Sequence, residues 1–423
     1  MKVAGSVRVP GDKSITHRIL LLAAMARGTS QVGGALTSLD ARSTARVLRQ
    51  LGAELTPLRL GSAVTVRGRG RLFPPDRVLF CGNSGTTTRL LLGLLSGHRF
   101  SATLTGDRSL RRRPMRRVTV PLAAMGAQFT EHNGDGLPLT VRGRRLRPMR
   151  YEMPVSSAQI KSAVLLAGMV GGVEVALREP GGRSRDHTER LLHAFGYGLT
   201  EEDGWIHFTP GGKVTPFDAQ VPGDPSSAAF LVGAATLAES GELRVAGVGV
   251  NPTRTGFLKV LRRMGATVRV ENELLHFGEP VGDLIIRPAA LAGTEVSAAE
   301  IPGLIDEIPL LAVLASRASG TTTFRQVGEL RVKESDRLGL MAENLRAVGA
   351  DAAVTGDDLV VAGSDRIPRG TVRTAGDHRL AMAFAVLGTV PQARVRIDDM
   401  ACAAVSFPGF PEALRSIAAR GGK

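Results

Sequence analysis

The stretch Glu329-Leu-Arg-Val-Lys-Glu-Ser-Asp-Arg337 puts six charged residues into nine, in a chain that is 22% charged. Lys333 and Arg337 stand four apart, which gives them one face if they open the helix predicted over 338–348. Glu334 lies between them and can give or take a proton. Two cations around a carboxyl suit an anionic substrate that undergoes proton transfer; a solvated face of i,i+4 ion pairs is the competing reading. Asp306-Glu307 interrupts the apolar run 301–315. A carboxylate there is costly unless it is paired, caps a helix or is catalytic.

Six other polar motifs stand out, most of them at the start of a helix. Gly11-Asp-Lys-Ser-Ile-Thr-His-Arg18 leads into a helix predicted over 19–26, and Cys81-Gly-Asn-Ser-Gly-Thr-Thr-Thr-Arg89 into one over 90–95. Both gather backbone N–H groups, hydroxyls and a cation at a helix N-terminus, which is how an anion site is built and also how an ordinary helix is capped. Neither has the glycine spacing of a Walker loop. Asp107 to Arg117 is the most basic run, with Pro114 biasing Arg113 towards an extended conformation from which its fork can grip a carboxylate or phosphate. Ser156-Ser-Ala-Gln-Ile-Lys161 and Ser184-Arg-Asp-His187 suit a polyhydroxylated ligand, and Gly376-Asp-His-Arg379 adds a further cation.

The elements that position these residues repeat. Val47-Leu-Arg-Gln-Leu-Gly-Ala53, Pro121-Leu-Ala-Ala-Met-Gly-Ala127, Leu191-Leu-His-Ala-Phe-Gly-Tyr197, Val260-Leu-Arg-Arg-Met-Gly-Ala266 and Asn344-Leu-Arg-Ala-Val-Gly-Ala350 recur about 70 to 85 residues apart. Each reads as a last helical turn with a left-handed Gly, followed by a strand. A helix over 412–419 closes the series without the Gly. Pro10-Gly-Asp-Lys-Ser14 and Pro222-Gly-Asp-Pro-Ser226 add a half-chain repeat, so two α/β lobes of three units each are predicted. The expected lobes are 12–223, and 1–11 with 224–423, with hinges near 11–13 and 222–225.

At 423 residues the chain is too long for one ordinary domain. Hydrophobic content of 43% fills its cores, with aromatics at only 4%. No apolar run reaches membrane-spanning length. Cys81 and Cys402 lack metal-ligand spacing and read as reduced thiols. A cytoplasmic, membrane-free protein with no metal and no cofactor is the expectation. The net charge of +15 raises nucleic acid as a partner, but the basic run lacks interleaved aromatics. Only 7 of the 54 basic residues are Lys, and Lys13, Lys161 and Lys333 each sit inside a dense polar motif.

Taken together and in this order, Gly11 to Arg18, Gly82-Asn-Ser-Gly-Thr-Thr87, Arg113-Pro114, Ser157-Ala-Gln159, Arg331-Val-Lys-Glu-Ser-Asp-Arg337 and Asp377-His-Arg379 closely resemble the 3-phosphoshikimate 1-carboxyvinyltransferases (5-enolpyruvylshikimate-3-phosphate synthases). The resemblance implies the inside-out α/β barrel of enolpyruvyl transferases: two lobes, each of three βαβαββ units. It implies a monomer that transfers the enolpyruvyl group of phosphoenolpyruvate to the 5-hydroxyl of shikimate 3-phosphate, with loss of phosphate. It places Lys13, Ser14, Arg18, Ser157, Ala158, Gln159, Ser184, Asp306 and Lys333 on shikimate 3-phosphate. Lys13, Asn83, Gly85, Arg113, Gln159, Arg337 and Arg379 fall to phosphoenolpyruvate. Asp306 is then the general base and Glu334 or Lys13 the proton donor. The chain departs from some members in Ala158, His187, Glu329 and Val405. A sister transferase acting on UDP-N-acetylglucosamine needs a loop cysteine that neither Cys81 nor Cys402 supplies by position, and a basic nucleic-acid-binding protein is the alternative from another class.

Overall fold

A computed structural model describes residues 1–418. The chain forms two compact units, Gly11–Val221 with Leu275–Glu279, and Met1–Pro10 with Pro222–Leu274 and residues 280–418. The five-residue piece is the tip of the hairpin Thr267–His276/Glu279–Arg287. Sequence patterning gave no sign of it. In the first of these units Phe277 packs its ring 5.4 Å from Phe195 and 5.2 Å from Phe217.

One supersecondary unit builds both halves. Leu79–Phe80, Gly85–Ser96, Ser101–Thr105, Arg116–Ala124, Gln128–Glu131 and Leu139–Arg142 run strand, helix, strand, helix, strand, strand. The first two strands pair in parallel and the rest antiparallel, giving a four-stranded sheet in which the last strand lies between the second and third. Five sheets share this order. Two borrow their first strand across the chain: Asp218–Gln220 pairs with Arg27–Gly33, and Ser6–Val7 pairs with Leu243–Gly249. Among the described residues the sixth repeat has only the parallel pair Arg369–Val372/Arg394–Ile397 for a sheet, with the helices His378–Leu387 and Phe410–Ser416. The last helix thus covers less than the expected 412–419, and Ala419 lies outside the described residues.

The two helices of a repeat differ in burial. The second is amphipathic and ends, in all five Gly-bearing copies, on a glycine at positive φ: Gly52, Gly126, Gly196, Gly265 and Gly349. The first is apolar all round because it is covered all round. Every residue of Pro225–Thr236 and of Ile308–Ala315 is buried, and these two helices pack with His378–Leu387. In the other unit Gly85–Ser96 packs on Ala158–Gly171 so closely that a Cβ on Gly93 would lie 2.2 Å from the Ala163 carbonyl oxygen. Helices therefore fill the middle of each unit and sheets form its outside. The first helices begin at Lys13, Gly85, Ala158, Pro225, Ile308 and His378; each of these ends carries or adjoins one of the polar motifs or the half-chain repeat.

Candidate active site

In the unit holding Gly11–Val221, two motifs turn helical earlier than expected. The helix predicted over 19–26 is Lys13–Met25, and that over 90–95 is Gly85–Ser96. The cause is capping: Asp12 accepts from the Ile15 N–H at 2.8 Å and Ser84 from the Thr87 N–H at 3.1 Å. Lys13 is therefore the first residue of its helix, with its ammonium 3.4 Å from Asp40. Ser14 is buried beside it, with its hydroxyl 3.4 Å from Arg185 Nη1.

Arg18 is not at an open surface. It is 3% exposed and donates from Nε to Thr188 (2.7 Å), from Nη1 to the Ser14 carbonyl (2.9 Å) and from Nη2 to Ser162 (2.6 Å). Burial brings its pKa down to about 10, against the pull of Glu189 and Asp12. Its geometry holds the backbone of Ser14.

Around Gly85 a cationic cradle assembles. Arg113 donates to Asn83 at 2.5 Å, Arg89 donates to Gln159 at 2.5 Å and to the Pro114 carbonyl at 3.0 Å, and Gln159 donates to Thr86 at 3.1 Å. A Cβ on Gly85 would stand 3.2 Å from Arg89 Nη1 and 3.4 Å from Arg113 Nη1, so the missing side chain leaves room between two guanidinium groups and a helix N-terminus. Arg89 was not singled out from sequence; its place four residues after Gly85, one helical turn on, was the available signal.

Ser157, Ala158 and Gln159 open the helix Ala158–Gly171, half-buried, and Ser157 makes no side-chain cap bond. Lys161, on the same helix, is fully buried between Glu179 (2.9 Å) and Glu189 (2.8 Å). Burial opposes its charge, but the two carboxylates outweigh it and raise its pKa. Its ammonium also donates to the Ser184 carbonyl at 3.2 Å while Glu179 accepts from the Ser184 N–H at 3.2 Å. This lysine therefore holds the Ser184 backbone and is not open to a ligand. Ser184 itself is 4% exposed, and its hydroxyl has no partner among the described residues. His187 Nδ1 meets Glu279 at 2.7 Å, both residues buried.

The other unit holds the carboxylates. Arg337 is completely buried, donating from Nε to Asp377 at 2.9 Å and from Nη2 to Glu334 at 2.6 Å. Burial works against its charge, but Asp377 and Glu334 outweigh that and raise its pKa. The same contact holds the Asp377 carboxyl below its usual range although burial pushes the other way. Arg337 Nη1 has no hydrogen-bond acceptor among the described residues and lies 3.7 Å from Asp306 Oδ1. Arg379 donates to the Asp306 carbonyl at 3.0 Å and stands 3.5 Å from its carboxylate. Two guanidinium groups and the carboxyls of Asp306 and Glu334 thus share one small region.

Two sequence readings change here. Lys333 and Arg337 do not share a helix face: the helix is Arg337–Ala347, capped by Asp336, which accepts from the Gly339 N–H at 3.1 Å. Lys333 follows the 3-10 turn Gly328–Val332 instead, 3.8 Å from Glu329. Burial lowers its pKa, against the pull of Asp306 and Glu329. Asp306 does not cap its helix, because Glu307 occupies that position, without a side-chain cap bond. Glu307 is buried and accepts from the Ser226 hydroxyl, which also accepts from Arg254 at 2.8 Å. The pairings of Asp377, Glu307 and Arg254 were missed because their partners are 28 or more residues away in sequence.

A family model described as EPSP synthase (3-phosphoshikimate 1-carboxyvinyltransferase) matches residues 1–414. This chain belongs to the EPSP synthase family. The 3-phosphoshikimate 1-carboxyvinyltransferase of Citrifermentans bemidjiense is 43% identical over 99% of the chain and 97% of its own length. That of Paramagnetospirillum magneticum is 47% identical over 99% and 96%. The structure of EPSP synthase from Acinetobacter baumannii aligns with a TM-score of 0.87 at 39% identity, over 98% of this chain and 96% of that one. The enolpyruvyl transferase NikO from Streptomyces tendae shares the fold alone, with a TM-score of 0.76 at 21% identity over 98% and 95%. The fold is thus that of the enolpyruvyl transferases.

Neither cysteine fits a nucleophile. Cys81 is buried and Cys402 partly so, and burial pushes both thiols up to about 11. No helix among the described residues is long and apolar enough to cross a membrane.

Proposed function

We propose that the two constellations act on the two substrates of the family reaction. The chain is a transferase: it moves the enolpyruvyl group of phosphoenolpyruvate to the 5-hydroxyl of shikimate 3-phosphate and releases phosphate, a step towards aromatic amino acids. The observation that carries the residue assignment is the gathering of Asp306, Glu334, Arg337 and Arg379, two carboxyls held against two guanidinium groups.

Asp306 takes the proton of the 5-hydroxyl as the oxygen attacks C2 of phosphoenolpyruvate, and Glu334 or Lys13 protonates C3. The tetrahedral ketal phosphate then loses phosphate from C2 and a proton from the C3 methyl, which restores the C2=C3 double bond of the enolpyruvyl group. Arg337 Nη1, Arg379, Arg113 and the N-terminus of Gly85–Ser96 neutralise the carboxylate and phosphate charge. Lys13, Ser14, Ser157, Gln159, Ser184 and Lys333 hold shikimate 3-phosphate; Arg18 and Lys161 support them from behind. Ala158 contributes no side-chain hydrogen bond and offers only its backbone. No cofactor or metal enters this chemistry. The protein works as a cytoplasmic monomer, free of nucleic acid and membrane, and its two units move about hinges near 11–13 and 222–225.

The test is phosphate release. Phosphoenolpyruvate with shikimate 3-phosphate gives release, phosphoenolpyruvate with UDP-N-acetylglucosamine does not, and Asp306→Ala abolishes it with the circular dichroism unchanged. Silence with shikimate 3-phosphate overturns the activity. An active Asp306→Ala removes Asp306 as the base.

A further inference from the structure

A buried imidazole outside the reaction chemistry is wired to the turn before Gly85. His17 lies one helical turn after Lys13 and is fully buried. Its Nδ1 is 2.6 Å from Thr44 Oγ1, which is 2.6 Å from Thr87 Oγ1, which in turn donates to Ser84 Oγ at 2.7 Å. All four residues are buried, and they come from the helices Lys13–Met25, Leu39–Gln50 and Gly85–Ser96 and the Ser84 cap.

The direction of every bond in this chain follows from counting protons. A hydroxyl has one hydrogen to donate. Thr87 gives its hydrogen to Ser84, so it accepts from Thr44. Thr44 is then spent as a donor and must accept from His17. The imidazole therefore carries its proton on Nδ1, and Nε2 is bare, with no hydrogen-bond partner among the described residues. A second proton would put an unsatisfied N–H in the interior. In keeping with this, burial, and after it Lys13 and Arg18, hold the His17 pKa down to about 3, so the ring is neutral near pH 7.

At its far end the chain sets a turn. Ser84 Oγ receives both the side chain and the N–H of Thr87, and the Ser84 N–H donates to the Cys81 carbonyl at 3.1 Å. Asn83 and Gly85, the neighbours of Ser84, border the Arg113–Arg89 cradle. We propose that His17 is a positioning residue for phosphoenolpyruvate, acting through Thr44, Thr87 and Ser84 to fix this turn relative to the helix that begins at Lys13. The proposal rests on the reading of Asn83, Gly85 and Arg113 as the phosphoenolpyruvate subsite.

Steady-state kinetics of the full chain, with each substrate varied in turn, test it. Thr44→Val and Thr87→Val remove a link and keep the shape. Each is expected to raise KM for phosphoenolpyruvate about tenfold, as displaced positioning groups do, with KM for shikimate 3-phosphate unchanged. Thr87→Ser keeps the hydroxyl and keeps the wild-type KM. His17→Leu shows the defect, and His17→Asn, whose amide N–H can take the place of Nδ1–H, reverses most of it. Loss of stability alone would lower the yield of active enzyme and leave both KM values in place, and that result overturns the proposal. So does an equal rise in both KM values. Should Thr44→Val not fold, Thr87→Val against Thr87→Ser decides alone. Arg113→Ala is the control: if it leaves KM for phosphoenolpyruvate unchanged, the subsite reading fails and takes this inference with it, whereas a large rise there with none in the relay variants overturns the relay only.

Discussion

Gly85→Ala isolates the cradle from the fold. The added Cβ would meet Arg89 Nη1 at 3.2 Å and Arg113 Nη1 at 3.4 Å, both at the far ends of flexible side chains, with no backbone atom among its nearest contacts. Each guanidinium must give by a few tenths of an ångström. Replacing Gly at a helix position favours the helix by up to about 1 kcal/mol, so stability is expected to hold or rise slightly. The ligand sees the opposite. A charge-assisted hydrogen bond contributes about 1.5–3 kcal/mol, and shifting two donors while narrowing the space between them forfeits about 1–3 kcal/mol of binding. KM for phosphoenolpyruvate is then expected to rise about 10- to 100-fold, with KM for shikimate 3-phosphate nearly unchanged. Initial rates of phosphate release at saturating shikimate 3-phosphate measure this, beside urea denaturation of the same preparation. A KM for phosphoenolpyruvate within twofold of wild type refutes the cradle, and a parallel loss of stability shows that the methyl disturbs the fold instead.

Three further outcomes are expected. Asp377→Asn strips the charge that faces the fully buried Arg337 and should cost about 3–5 kcal/mol in denaturant titration; a loss under about 1 kcal/mol contradicts the pairing. Lys161→Met leaves Glu179 and Glu189 facing each other without their cation, for a loss of similar size, together with a raised KM for shikimate 3-phosphate because Ser184 is released. His17 binds a proton in the unfolded chain below its ordinary pKa of 6.5 but in the fold only near 3. Its contribution to stability is therefore present above pH 6.5 and lost as pH falls through that window, at up to about 1.4 kcal/mol per unit. Melting temperatures from pH 7 to pH 4 should fall less steeply in His17→Asn than in the wild type.

The repeats were legible because a period survives in local chemistry: the same last turn and the same left-handed glycine recur whatever the packing around them. The motifs were legible for a similar reason, since polar residues crowd helix starts. The exact starts were not, because Asp12 and Ser84 act as caps inside what reads as a loop motif. What stayed hidden is which polar residues face inward. Arg18 and Lys161 have the composition of ligand contacts and are interior struts. Lys333 and Arg337 have helical spacing and no shared helix. Pairings such as Arg337 with Asp377 and Ser226 with Glu307 join residues 40 and 81 positions apart, and local spacing carries no trace of them.

The strand Ser6–Val7 leaves the ribosome more than 230 residues before its partner Leu243–Gly249. Residues 11–221 are one unbroken segment, whereas the other unit needs both the opening and the closing parts of the chain. During translation the middle of the protein can therefore fold while the first ten residues wait. The Ala4 N–H donates to the Ile417 carbonyl at 3.1 Å, so these two segments meet once both exist. A gene rearranged so that the segment from residue 222 onward precedes residue 1 would encode each half as an almost continuous segment and remove that wait.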